Sequence, residues 1–145
     1  MQRRNIGLAA IASLAFCASV FVPLAAHAEV IDFKATMNAA TEVPAKDSKG
    51  TGDALASFDT TTKKLSYTVT YIDLTGPATM AHIHGPALPG ANAPVVIPFM
   101  PPASPITGSV TLTDAQAADL MAGKYYVNVH TAANPGGEIR GQLVK

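Results

Sequence analysis

The chain has 145 residues with ten basic and ten acidic side chains, so it carries no net formal charge and gives no electrostatic footprint for nucleic acid. A hydrophobic fraction of 48% is enough for one modest core, and the length fits a single domain. One cysteine, Cys17, rules out an intrachain disulfide.

The N-terminus opens with basic Arg3-Arg4, continues as an apolar run from Ile6 to about Leu24, and reaches Ala26-His27-Ala28. A positive start, an apolar centre and a small-residue site make a secretory signal over residues 1–28, with cleavage expected after Ala28. A membrane anchor is the competing reading of the same run. Polar Glu29 and Asp32 directly after the site favour cleavage. The expected compartment is the periplasm or the outside of the cell. Cleavage would remove Cys17, His27 and both arginines, leaving residues 29–145 as a slightly acidic domain without thiolate ligands. Its histidines would be His82, His84 and His130, and no further segment would span a membrane.

From there the residues read as short strands. Ile31 to Met37 alternates apolar and polar positions, the period of a half-buried strand. Thr41 to Gly52 reads as a loop broken by Pro44. Ala54 to Phe58 and Leu65 to Tyr71 form an antiparallel hairpin around the turn Asp59–Lys63, with Leu65, Tyr67, Val69 and Tyr71 on one face. Thr79 to His84 is a strand closed by Gly85-Pro86. The proline-dense stretch 85–108 is a long connection or edge element packed on the body, with Val95 to Ile97 its strand-like part. Ser109 to Leu112 is another strand. Thr113 and Gln116 then form a capping box opening one or two helical turns from Ala115 to about Met121, stopped by Gly123. Tyr125 to His130 and Glu138 to Val144 finish the sheet around the turn Asn134–Gly137. The fold class is all-β, a Greek-key β-sandwich or flattened barrel with one short helix.

The three histidines carry the chemistry. His82 and His84 at i and i+2 leave one face of a strand about 7 Å apart, while Ile83 points to the opposite layer. Met80 shares their face and offers a thioether. His130 ends a later strand on a face with Tyr126 and Asn128. If the strands are neighbours, three imidazoles meet at one centre. Imidazole suits several transition metals, and the affinity order together with a thioether neighbour favours copper. A zinc site of three histidines and water is equally legitimate chemistry. The bland alternative is that the rings hydrogen-bond loop carbonyls beside the Gly-Pro turns. Tyr67, Tyr71, Tyr125 and Tyr126 read as core and cross-strand packing rather than a binding surface. Asn128 either orients a ligand imidazole or satisfies a loop backbone.

Several segments resemble the CHRD (chordin) domain of secreted proteins: Thr41–Pro44, Ala81–Pro86, Leu120–Thr131 and Asn134–Leu143. They fall in the family's order across most of residues 29–145. By this resemblance a non-enzymatic interaction module, binding another secreted protein, is one expected function. A more distant resemblance is to Cu/Zn superoxide dismutase, through His82, His84, Gly85, His130, Gly136-Gly137 and Arg140 in sequence order. It implies copper ligation by the three histidines and attraction of a small anion by Arg140, whose other reading is a salt bridge to Glu138 or Asp73. The bridging histidine, the zinc cluster and the disulfide cysteines of that family are missing. A copper-only dismutase-like enzyme is therefore the third expectation, after a copper-binding domain and an interaction module.

Overall fold

The strict alternation of the first three strands places every second side chain in one core. In β1 (Val30–Asn38) these are Phe33, Ala35 and Met37; in β2 (Thr51–Asp59), Ala54, Ala56 and Phe58; in β3 (Lys64–Ile72), Leu65 and Val69. The computed structural model describes residues 29–145, and the expected export signal over 1–28 lies outside them. Five further strands follow: β4 (Ala78–His84), β5 (Val95–Pro98), β6 (Ile106–Thr111), β7 (Tyr126–Thr131) and β8 (Ile139–Gln142). All pair antiparallel in one eight-stranded sheet of order β5-β4-β7-β8-β1-β2-β3-β6. The sheet curls into a half-barrel around its core, in keeping with the expected flattened barrel. Among the described residues no helix is long and apolar enough to cross a membrane.

Pairing extends some strands beyond their sequence signal. β6 begins at Ile106, three residues early, because Ile106 pairs with Val69. β2 likewise starts at Thr51, opposite Ile72, inside the stretch expected to be loop. A single helical turn at Ala39–Thr41 leads into that stretch, capped by the Asn38 side chain, which accepts from the Thr41 amide at 3.1 Å. The one helix, α1 (Asp114–Met121), carries the expected capping box: Thr113 Oγ1 accepts from Gln116 N, and Gln116 Oε1 accepts from Thr113 N.

β7 differs from every other strand in being buried along its whole length. Val127 and Val129 point into the core, which accounts for one face. The other face carries Tyr126, Asn128 and His130, and is covered from outside. The proline-dense segment 85–94 lies over it, tied down by Ala87 N to Lys124 O at 2.8 Å and by Asn92 Nδ2 to Val43 O at 3.0 Å. The expectation that this segment packs on the body holds, and β5, which follows it, is an edge strand. A thin second layer is thereby built outside the sheet, and the polar side chains of β4, β7 and β8 are sealed into it.

One carboxylate ties the end of this layer together. Glu138, fully buried, accepts from Ser48 Oγ at 2.6 Å, Thr75 N at 2.8 Å, Thr75 Oγ1 at 2.6 Å, Thr131 Oγ1 at 2.5 Å and Asn134 Nδ2 at 3.1 Å. Burial alone would raise its pKa, but the donors outweigh it and hold the carboxyl at about 2.

Candidate metal centre

The register of the sheet, more than the length of any side chain, brings the histidines together. β4 and β7 pair with Met80 opposite His130, His82 opposite Asn128 and His84 opposite Tyr126. Directly opposed residues in an antiparallel pair share a face, so all six side chains emerge into the outer layer. Ile83 points the other way and is buried in the core, as the strand period requires.

The rings converge. Centroids of His82 and His130 are 4.9 Å apart, those of His82 and His84 5.2 Å, and those of His84 and His130 6.3 Å. One ring nitrogen from each residue lies within 4.8 Å of the others. His82 Nδ1 and His130 Nε2 are 3.1 Å apart. Two nitrogens bound to one ion at about 2.0–2.1 Å sit about 3.3 Å apart at a tetrahedral angle, so this gap already suits a shared ion.

Backbone carbonyls select the tautomers. His84 Nδ1 lies 2.9 Å from Ala93 O, and His130 Nδ1 lies 3.0 Å from Pro135 O. A carbonyl only accepts, so each Nδ1 carries the proton and donates it, leaving a lone pair on each Nε2. The bland sequence reading, histidines bonded to loop carbonyls, is therefore correct for two of the three rings. It leaves both Nε2 lone pairs free of those carbonyls, and that of His130 lies at hydrogen-bond distance from His82 Nδ1. His84 Nε2 is buried and has no hydrogen-bond partner. A ring held by its Nδ1 proton with a bare Nε2 is the usual arrangement of a metal-ligating histidine.

Charge is kept off His82 and His130. His82 is pushed down to about 4, first by burial and then by the neighbouring His130 and His84 rings. Burial also lowers His130, against the opposing pull of the Pro135 carbonyl. Neutral imidazole at ordinary pH is the form a metal ion requires.

Around the triad the outer layer is built by residues whose partners the sequence does not reveal. Tyr126 stacks on His84, with centroids 4.9 Å apart and planes 3° from parallel, and the Arg140 guanidinium lies 3.4 Å above the other side of that ring. The Ala93 amide donates to the Tyr126 hydroxyl at 3.1 Å, so one residue fixes both the tyrosine and His84. Tyr125 is core, as expected, and Tyr126 packs across strands, as expected, but against the histidines. The salt bridge expected between Arg140 and Glu138 or Asp73 is absent. Glu138 is committed to its hydroxyl and amide donors, and Arg140, 2% exposed, donates to Asn92 Oδ1 at 3.0 Å and Ala91 O at 2.6 Å. It thereby holds segment 85–94 over the site.

Asn128 hydrogen-bonds neither a ligand imidazole nor a loop backbone; its Nδ2 donates to Glu42 Oε1 at 3.4 Å, and its buried Oδ1 has no partner. Glu42 is buried, and burial raises its pKa against the lowering influence of Val43 N, Asn128 and Arg140. Room for its carboxyl depends on Gly137, where φ is +123° and an added Cβ would meet Glu42 Oε1 at 2.2 Å. Glu42 and Arg140 both line a cavity of about 270 Å³ beside Val43, Pro89 and Gln142. Met80 stands at the open side, 44% exposed, next to His82, the least buried of the three histidines.

No curated protein and no solved structure matches the chain. The family model of the CHRD domain matches residues 33–143, from the first core side chain of β1 to the residue after β8, and the chain belongs to the CHRD domain family.

Proposed function

We propose that this CHRD domain acts outside the cytoplasm and binds one transition-metal ion, copper in preference to zinc, through His82, His84 and His130. The observation that carries the reading is the buried, partnerless Nε2 of His84 facing two further imidazoles. A buried polar atom without a partner costs about 1–3 kcal/mol, and coordination would recover it. Copper is favoured over zinc by the affinity order for nitrogen ligands. Calorimetric titration of the protein with Cu(II) and with Zn(II) tests this. One ion per chain is expected, with copper the tighter, and the triple variant His82→Ala, His84→Ala, His130→Ala should give no binding heat. Undiminished binding in the triple variant would place the metal elsewhere.

A second reading, a protein-interaction module, is favoured by family membership and by Leu88 and Val95, 64% and 48% exposed on and beside the covering segment. The two readings are compatible, since neither exposed side chain is a ligand of the proposed centre.

A further inference from the structure

The described residues include four methionines, and they divide sharply. Met37 is fully buried in the core and Met121 packs against it, whereas Met80 is 44% and Met100 85% exposed. One exposed apolar side chain is ordinary, and exposure becomes informative where such side chains lie together. Sheet register brings these two segments side by side. β4 and β5 pair with His82 opposite Pro98 and Ile83 opposite Ile97. Phe99 N donates to Ala81 O at 2.9 Å, carrying the pairing one step past the end of β5. Continued one residue further, the same register sets Met100, at the bend that follows β5, across from Met80. On its other side Met80 is opposite His130.

On that register Met100, Met80 and His130 fall in one row across three adjacent segments, neighbouring strands of a sheet being about 4.8 Å apart. The row lies at the open side of the histidine cluster, where His82 is least buried. Each methionine sulfur ends a chain of three rotatable bonds, so both reach over the space between their strands. Thioether sulfur is neutral and soft, and it selects Cu(I) over zinc and over Cu(II). The geometry points to a thioether docking subsite for Cu(I), formed by Met80 and Met100, from which the ion is exchanged onto the imidazoles beside it.

The inference rests on the copper reading of the histidines but uses different ligand atoms, so the two can fail separately. The hand-over is ligand exchange alone: the ion stays monovalent and no electron or proton moves. The sequence offers Met80 as a candidate further ligand of the histidine site, and pairing with β7 sets it opposite His130; the proposed subsite groups it with Met100.

The test is a titration with silver nitrate in chloride-free buffer, Ag(I) being a redox-stable stand-in for Cu(I), followed through the methionine methyl and histidine ring signals of 13C-labelled protein. Signals of Met80 and Met100 should shift together while those of Met37 and Met121 stay in place. The shift should persist in the triple histidine variant. The double variant Met80→Leu, Met100→Leu should bind Ag(I) at least tenfold more weakly and still take Cu(II) on its histidines. Stationary Met80 and Met100 signals with moving histidine signals would overturn the subsite and leave the histidine centre standing. Shifts that vanish in the triple variant would return Met80 to the histidine site and equally overturn a separate subsite. If neither set moves, the subsite falls, while the histidine centre is decided by its Cu(II) titration.

Discussion

Replacing Glu138 with alanine is expected to cost about 3–4 kcal/mol of stability, the largest effect of any single polar substitution in the protein. Five donors from three separate segments converge on this one carboxylate, which is fully buried. Removing it leaves the Thr75 amide and the buried Thr131 hydroxyl without their acceptor, and unpaired buried donors cost more than the lost bonds themselves. Glu138→Gln should lose less, because one oxygen remains to accept while the new NH2 faces groups that also donate.

The same carboxylate sets an acid limb. Its pKa is about 2 in the folded protein against an ordinary value of 4.5. Between those values the unfolded chain binds a proton that the native state refuses. The stability that Glu138 contributes is therefore complete above about pH 4.5 and is lost as the pH falls toward 2. Urea denaturation at pH 7 and at pH 3 checks both points. Wild type should lose stability between them, and Glu138→Ala should start lower and lose less. A change below 1 kcal/mol at pH 7 would show that the converging bonds are incidental.

The second large effect concerns affinity. Replacing His84 with alanine is expected to weaken Cu(II) binding at least about 100-fold, since substitutions of groups that merely orient ligands already cost 10–100-fold. Stability without metal should move by about 1 kcal/mol or less. The substitution forfeits the stack on Tyr126 and the bond to Ala93 O, but it also removes a buried nitrogen that had no partner. A purely structural histidine would show the reverse: a marked fall in denaturation midpoint and unchanged metal titration. Calorimetry and thermal unfolding on the same variant separate the two.

Much of this molecule is legible in its sequence because its strands obey a period of two. The alternation from Ile31 to Met37 and from Leu65 to Tyr71 assigns those strands and their buried faces, and His82-Ile83-His84 yields two convergent rings by the same rule. The meeting of His130 with that pair depends on β4 lying beside β7, a neighbour relation that local pattern does not encode. The groups that complete the site are harder still. Ala93 and Pro135 act through backbone carbonyls, which any residue supplies, so no side-chain signal marks them. Arg140 and Glu138 are two apart and read as an ion pair. The turn at Gly137 and the hydroxyls of Thr75 and Thr131 draw the carboxylate away, and the guanidinium goes to Tyr126 instead. Glu42 lies in a segment typical of the family, but its burial follows from segment 85–94 folding back over the sheet.

Diffraction from copper-soaked crystals, recorded on both sides of the copper absorption edge, tests coordination most directly. An anomalous peak about 2 Å from Nε2 of His84, Nε2 of His130 and a ring nitrogen of His82 is the expected result. Full copper occupancy at any position out of reach of those three rings, or none at saturating copper, would contradict it.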